Sequence, residues 1–452
     1  MSDTRSPARG FSSGLFSGRR YAVLGLGRNG APAARALAAM GAIVQAWDDG
    51  ETARSALQDA PGITLRPFGT LEGFDALVMS PGIPHRLPAP HPVAARAIAA
   101  GLPVLSDAEL LFQAVRAAGG GARFAGITGT NGKSTTTALL AHILRTAGIP
   151  VAAGGNLGPA SLSLPLLPEN GVYVLEMSSY MLERLRTLRF DAACLLNLSP
   201  DHLDRHGTMA AYAQAKEQVF ARQKKGDVAV LGADDAATVA IAERLRAGHP
   251  APVLTISGER PGALAPILAE APALPGTHNA QNALAAAAMA AHLGVSNADI
   301  AEALRSFPGL PHRQRTVAEQ DGIRFVDDSK ATNADAAARA LGCYPRLVWI
   351  AGGVAKSGGI ETLAPFFPRI AEALLIGQDA PALAETLRRH DVPHRIVGTL
   401  EEAVPAALAA ARDTQAPVVL LSPACASFDQ FPNFEARGER FAALASSLRG
   451  RS

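Results

Sequence analysis

Cysteine is scarce in this chain. Only Cys194, Cys343 and Cys425 occur among 452 residues, widely spaced and odd in number. That argues against a disulfide-stapled secreted scaffold and suits a reducing compartment, so a cytoplasmic location is expected. Net charge is equally slight, +2 at pH 7. It gives no global electrostatic ground for a nucleic-acid or membrane-surface partner. No apolar run is long enough to cross a bilayer, so no membrane insertion is expected. Residues 1–21 carry Arg5, Arg9, Arg19 and Arg20 without a continuous apolar core. They read as a basic tail rather than a signal peptide. What the chain does have is 48% hydrophobic and 18% charged residues, a globular composition. Its length exceeds one ordinary core and predicts two or three domains.

The most informative stretch is Gly126-Ile127-Thr128-Gly129-Thr130-Asn131-Gly132-Lys133-Ser134-Thr135. It follows a short apolar run and opens a helix whose apolar residues Leu139, Leu140, Ile143 and Leu144 recur at helical spacing. Glycines let several backbone N–H groups turn into one concavity. Lys133 can reach terminal phosphates, the Ser134 hydroxyl is placed to help hold Mg²⁺, and the helix dipole favours anions at the same spot. A nucleoside triphosphate is the implied ligand. One residue is missing from the strict pattern, since Ile127 stands where its first glycine belongs.

Strands and helices alternate in three blocks, which predicts parallel sheets with helices on their faces. In the first block Gly25-Leu26-Gly27-Arg28-Asn29-Gly30 follows a strand and precedes a helix, and Asp48 ends the next strand. This is a dinucleotide-binding context that any nucleotide diphosphate could use. In the second block Glu176 ends the strand Val172-Tyr173-Val174-Leu175 and faces the ligand crevice, where it could share Mg²⁺ with Ser134. His202 and His206 are four apart in a turn-rich segment. They lack the glutamate of a zinc-protease helix, and a second Mg²⁺ site at His202 is the better reading, with His206 structural. Lys216, from its residues alone, is an ordinary helix lysine. In the third block Asp327-Asp328-Ser329-Lys330-Ala331-Thr332-Asn333 suits ribose and phosphate contacts, or a helix start capped by Ser329 or Asp328. Lys356 and Ser427 lie past strand ends where a small anion could dock. Cys425 reads as packing, with no histidine beside it in sequence.

These residues resemble the Mur ligase family over almost the whole chain after Tyr21. The shared features are the Gly129–Ser134 loop, Glu176, Asp201-His202, Leu274-Pro275-Gly276-Thr277-His278-Asn279 with Asn282, and His312-Arg313. Asp328-Ser329-Lys330-Ala331-Thr332-Asn333 and the run from Leu421 to Phe431 are similar to the member that adds D-glutamate. An Asn-Pro-Arg-type signature of diamino-acid-adding relatives is lacking. The resemblance implies an α/β fold of three domains: N-terminal Rossmann-like (1–112), central P-loop ATPase-like with a parallel sheet (113–310) and C-terminal Rossmann-like (311–452). It implies an ATP-dependent ligase that phosphorylates the carboxylate of UDP-MurNAc-L-alanine and lets D-glutamate attack the acyl phosphate.

By position, Lys133, His202, Lys216 and Lys330 are implied to be catalytic. Gly129, Thr130, Asn131, Gly132, Lys133, Ser134, Thr135, Asn279, Asn282, Arg313 and Asp328 are implied to bind ATP. Gly27, Arg28, Asn29, Asp48, Ser80, Gly82, Asn156 and Ser178 are implied for the uridine-nucleotide substrate, and Thr332, Lys356, Ser427 and Phe434 for D-glutamate. Two Mg²⁺ sites are implied, with Ser134 and Glu176 at one and His202 with a carbamylated Lys216 at the other. A monomer is expected. Arg28-Asn29 and Asp49-Gly50 depart from the family pattern at the uridine end. Alternatives in the same class are another Mur ligase or a folylpolyglutamate synthase-like enzyme, which lacks the first block. A nicotinamide-dependent oxidoreductase built on the first glycine cluster leaves the phosphate loop unexplained. A regulator without catalysis leaves Glu176, His202 and Lys216 unexplained.

Overall fold

The computed structural model describes residues 10–156, 158–355 and 358–448. Among the described residues there are three sheets. The first has five strands in the order Ile63–Leu65, Ile43–Trp47, Arg20–Leu24, Ala76–Met79, Val104–Leu105, all parallel. The second has six, also all parallel: Val253–Ile256, Val228–Gly232, Ala192–Leu195, Arg123–Thr128, Val172–Glu176, Val151–Gly155. The third runs Arg315–Gln320, Ile323–Asp327, Val418–Leu421, Leu347–Gly352, Ile370–Ile376, His394–Gly398, with only the first of these antiparallel to its neighbour. Central strands such as Val172–Glu176 and Leu347–Gly352 are buried throughout. Parallel strands covered on both faces read as continuous apolar runs for this reason.

By contact density the chain forms two compact units, one of residues 1–269 and 279–305, the other of 270–278 and 306–452. The first unit holds the first two sheets. One apolar core runs through both, from Tyr21, Leu37 and Val44 to Tyr173, Leu195 and Leu231. The helix Asp107–Ala117 crosses residue 112 and places Leu110, Leu111, Ala114 and Val115 in that shared core. Ser106 caps this helix, accepting from the Glu109 amide at 3.3 Å. The Glu109 carboxylate in turn accepts from the amides of Arg186, Thr187 and Leu188, at 2.9 to 3.1 Å. In the second unit, the third sheet is covered on one face by Trp349, Leu363 and Leu383 and on the other by Phe325, Val404 and Phe441. Among the described residues no helix is long and apolar enough to cross a membrane.

Candidate active site

The strand Arg123–Thr128 feeds the glycine-rich loop, and the helix Lys133–Thr146 leaves it. Asn197, past the end of the adjacent strand, splints the loop. Its carbonyl accepts from the Thr130 amide at 2.9 Å, its side-chain oxygen from the Asn131 amide at 2.9 Å, and its amide group donates to the Asn131 carbonyl at 3.2 Å. Gly132 sits at φ +84°, and a Cβ there would run into the Asn282 carboxamide oxygen. That oxygen accepts from the Thr136 hydroxyl at 3.2 Å, and Asn282 also donates to Asn279 at 3.2 Å. The helix Thr277–His292 therefore buttresses the loop from behind. Lys133 Nζ donates to the carbonyls of Gly129 and Thr130, both at 2.8 Å. Ser134 and Thr135 are half-buried in the first helical turn.

Two groups from other elements converge on this loop. Lys216, on the helix Met209–Glu217, is 2% exposed. Its Nζ donates to the Gly129 carbonyl at 2.9 Å and to Thr128 Oγ1 at 3.4 Å, and lies 4.7 Å from the centre of the Tyr212 ring. Burial first, and then the Lys133 charge, hold its pKa well below the ordinary lysine value. Glu176, also 2% exposed, ends its strand as expected. Its Oε1 accepts from Asn156 Nδ2 at 3.0 Å, while its Oε2 is buried and meets no donor. A buried carboxylate oxygen without a donor is costly unless a cation completes it. No group of three His, Cys, Asp or Glu is gathered for a metal among the described residues. Mg²⁺, which takes one or two protein oxygens and keeps phosphates and waters, suits such a sparse donor set. His202 adopts a left-handed backbone at φ 53°, with its half-exposed ring beside Asp201 at 3.5 Å and Tyr180 at 5.2 Å between centres. His206 is buried, bonds to Ser179 Oγ at 2.9 Å and stacks on Tyr180. Burial pushes its pKa down to about 4, in keeping with a structural role.

In the first sheet the glycine turn is held from within. Asp48 accepts from the amides of Leu26 at 2.7 Å and Gly50 at 2.8 Å. Ser80 Oγ donates to the Gly25 carbonyl at 2.8 Å. Asn29 Nδ2 donates to Asp107 at 3.3 Å and to the Gly155 carbonyl at 3.2 Å. Gly27, Arg28 and Gly82 lie exposed. Ser178 caps the short helix Ser179–Leu182, accepting from the Met181 amide at 3.3 Å.

In the second unit Asp327 ends the strand Ile323–Asp327 and Asp328 follows it. Asp327 accepts from His312 Nδ1 at 2.7 Å, which raises the histidine pKa. Asp328 is buried, accepts from Ser422 Oγ at 2.7 Å, and burial pushes its pKa up to about 7 with Arg313 opposing. Arg437, 1% exposed, ties two loops together: Nη2 reaches the carbonyls of Ser329 at 2.9 Å and Cys425 at 3.1 Å, and Nε reaches Ser329 Oγ at 2.9 Å. Lys330 Nζ lies 5.3 Å from the centre of the Phe434 ring. Thr332 is half-buried and Ser427 buried. Lys356 lies outside the described residues. Cys425 is buried in the core and burial lifts its thiol to about 12, which fits packing.

Residues 127–265 match the Mur ligase middle domain, and residues 312–425 match the Mur ligase glutamate ligase domain. The chain is 49% identical over 452 residues to the UDP-N-acetylmuramoylalanine–D-glutamate ligase of Paramagnetospirillum magneticum, covering 96% of this chain and 98% of that one. It belongs to the Mur ligase family. The corresponding ligase of Rhodospirillum rubrum is 48% identical, with 96% and 95% covered. Among solved structures, a UDP-N-acetylmuramate–alanine ligase from Thermotoga maritima shares the fold at TM-score 0.57 and 18% identity, covering 95% of this chain and all of that one.

Of the residues expected in a Mur ligase site, the structure gathers Gly129–Ser134, Lys216, Asn279 and Asn282 around one loop, with Asn156 on Glu176. Arg313, Asp328, Lys330, Thr332, Ser427 and Phe434 belong to the other unit. One expectation is corrected. Asn333 rather than Ser329 or Asp328 caps the helix Ala334–Leu341, accepting from the Ala336 amide at 2.8 Å. Ser329 Oγ donates instead to the Phe434 carbonyl at 2.8 Å, and Asp328 is committed to Ser422. Asn197 and Arg437 were passed over. Asn197 lies just past a strand end beside the loop, a position that marks it in the sequence. Nothing local in the sequence distinguishes Arg437 from any helix arginine.

Proposed function

We propose that this chain is an ATP-dependent ligase that joins D-glutamate to UDP-MurNAc-L-alanine. The observation that carries the chemistry is the convergence of Lys133 and Lys216 on one carbonyl, that of Gly129, beside a buried carboxylate oxygen with no donor. Burial first, and then the nearby Lys133 charge, disfavour the protonated form of Lys216. A neutral, buried amine is suited to taking up CO₂ as a carbamate, which would turn it into an anionic oxygen ligand. Ser134 and Glu176 would hold one Mg²⁺, and His202 with carbamylated Lys216 a second. When bound, these ions would neutralise charge on the transferring phosphoryl group.

Lys133, released from its loop carbonyls, reaches the terminal phosphates. The substrate carboxylate oxygen attacks the γ-phosphorus and ADP leaves. The D-glutamate amine then attacks the acyl carbon, the tetrahedral intermediate expels phosphate, and an amide remains. The first sheet's glycine turn would hold the uridine nucleotide, through Gly27, Arg28, Ser80 and Gly82. Thr332, Ser427, Phe434 and Lys356 would hold D-glutamate, with Arg313 and Asp328 at the nucleotide. The enzyme would work as a cytoplasmic monomer. Phosphate release by the purified chain tests this. Turnover is expected only with ATP, UDP-MurNAc-L-alanine and D-glutamate together. Equal turnover with L-lysine or diaminopimelate replacing D-glutamate would refute the amino-acid assignment.

A further inference from the structure

The segment that carries Glu176 also carries a residue with no part in the chemistry above. Arg184, just past the helix Ser179–Leu182, is 2% exposed, and its guanidinium reaches into the first sheet's block. Nη1 donates to the carbonyls of Met79 at 2.9 Å and Ser80 at 3.0 Å, Nη2 to that of Ile83 at 2.6 Å, and Nε to His85 Nδ1 at 3.4 Å. Burial lowers the guanidinium to about 10, so it stays charged at neutral pH. His85 is pushed down to about 3, by burial and then by Arg184, and serves as a neutral acceptor. Arg205, three residues past His202, adds a second grip. Its Nη1 donates to the Gly82 carbonyl at 3.0 Å while its guanidinium lies over the Tyr180 ring at 4.2 Å.

Carbonyls at 79, 80, 82 and 83 are therefore all held by arginines that follow Glu176 and His202 in sequence. An irregular loop must find partners for its backbone groups somewhere, and a planar five-donor fork is well suited to collect several carbonyls at once. The same loop supplies Ser80, whose hydroxyl holds the Gly25 carbonyl. Loop 79–83 and the glycine turn thus form one frame, and its anchor lies in the phosphate-loop block.

We infer that Arg184, backed by Arg205, is a positioning residue: it sets loop 79–83, and with it the nucleotide-sugar substrate, in register with the segment that bears Glu176. This rests on the reading of the first block as the nucleotide-sugar site. The test uses the full chain with Arg184→Met, Arg184→Lys and Arg205→Met, each checked for folding by circular dichroism. Steady-state constants are measured for all three substrates, and UDP-MurNAc-L-alanine binding by calorimetry. Arg184→Met is expected to raise KM and Kd for the nucleotide-sugar about tenfold or more and to lower kcat, as a misplaced carboxylate would. KM for ATP and D-glutamate is expected to stay within about twofold. Arg184→Lys, with charge but no fork, is expected to recover only part of the loss. Arg205→Met is expected to move the same constants in the same direction and less far. It keeps the test decisive if Arg184→Met does not fold. Equal rises in KM for all three substrates, or unchanged nucleotide-sugar constants in folded variants, would overturn the inference. Failure of the unaltered chain to bind UDP-MurNAc-L-alanine would overturn the functional reading beneath it.

Discussion

Gly132→Ala is the sharpest single perturbation of the phosphate loop. The residue sits at φ +84°, a conformation that costs an L-residue with a Cβ about 1–2 kcal/mol. The added methyl would also meet the Asn282 carboxamide oxygen, with Leu196 Cδ1 3.1 Å away. The nearest atoms belong to the side chains of Asn282 and Leu196, so the Asn282 carboxamide must swing. That move breaks its bonds to Thr136 and Asn279, each worth about 0.5–1.5 kcal/mol net. Alanine recovers about 0.4–1 kcal/mol by restricting the unfolded chain. The balance is a loss of about 1–5 kcal/mol, localised where the helix Lys133–Thr146 begins. Urea unfolding followed by circular dichroism should show an earlier transition. Hydrogen exchange should show faster opening of the first turn of that helix, and the KM for ATP should rise. A variant whose transition moves by less than about 0.5 kcal/mol, with exchange and KM unchanged, would refute both the strain and the buttressing role of Asn282.

Other perturbations separate the parts of the site. Lys133→Ala should lower kcat by about 10²–10³-fold or more while calorimetric binding of the nucleotide-sugar stays within about twofold; lost binding in a folded variant would contradict separate sites. Lys216→Ala should be inactive and partly restored by short carboxylic acids that replace the carbamate, and a folded variant showing no rescue would count against that role. Burial pushes the Asp328 carboxyl up to about 7, against 3.8 for an ordinary aspartate. The native state thus holds a proton the unfolded chain has lost, and this group's contribution to stability falls as pH rises between those values. Asp328→Asn should flatten that fall in denaturation midpoints measured from pH 4 to pH 7, and an unchanged slope would refute the assignment.

The chemistry was more legible than the framework that holds it. Phosphate loops and strand-end carboxylates obey local rules, so Gly129–Ser134 and Glu176 could be read from neighbours in sequence. The strand Val151–Gly155 could not, because its residues are Val-Ala-Ala-Gly-Gly, poor strand formers that only tertiary pairing makes extended. The edge strands Ile63–Leu65 and His394–Gly398 are hidden for another reason: short and partly exposed, they show no clear alternation or apolar run. The cap at Asn333 was misjudged because Ser329 and Asp328 are equally good caps until their distant partners, Phe434 and Ser422, are known. Asp48 and Asn29 show the converse. Their positions were legible, but nothing local told that their side chains brace the glycine turn and the Asp107 carboxylate.

The two compact units are interleaved along the chain: residues 270–278 belong with the second, and 279–305 return to the first. A ribosome therefore delivers the helix that buttresses the phosphate loop only after it has released a fragment of the other unit. The first unit cannot close when residue 269 emerges, and must wait for Asn279 and Asn282. Cutting the gene near residue 310 would strand the 270–278 segment on the wrong piece. Separately expressed halves should fold poorly, and chain order itself links the maturation of one unit to the synthesis of the other.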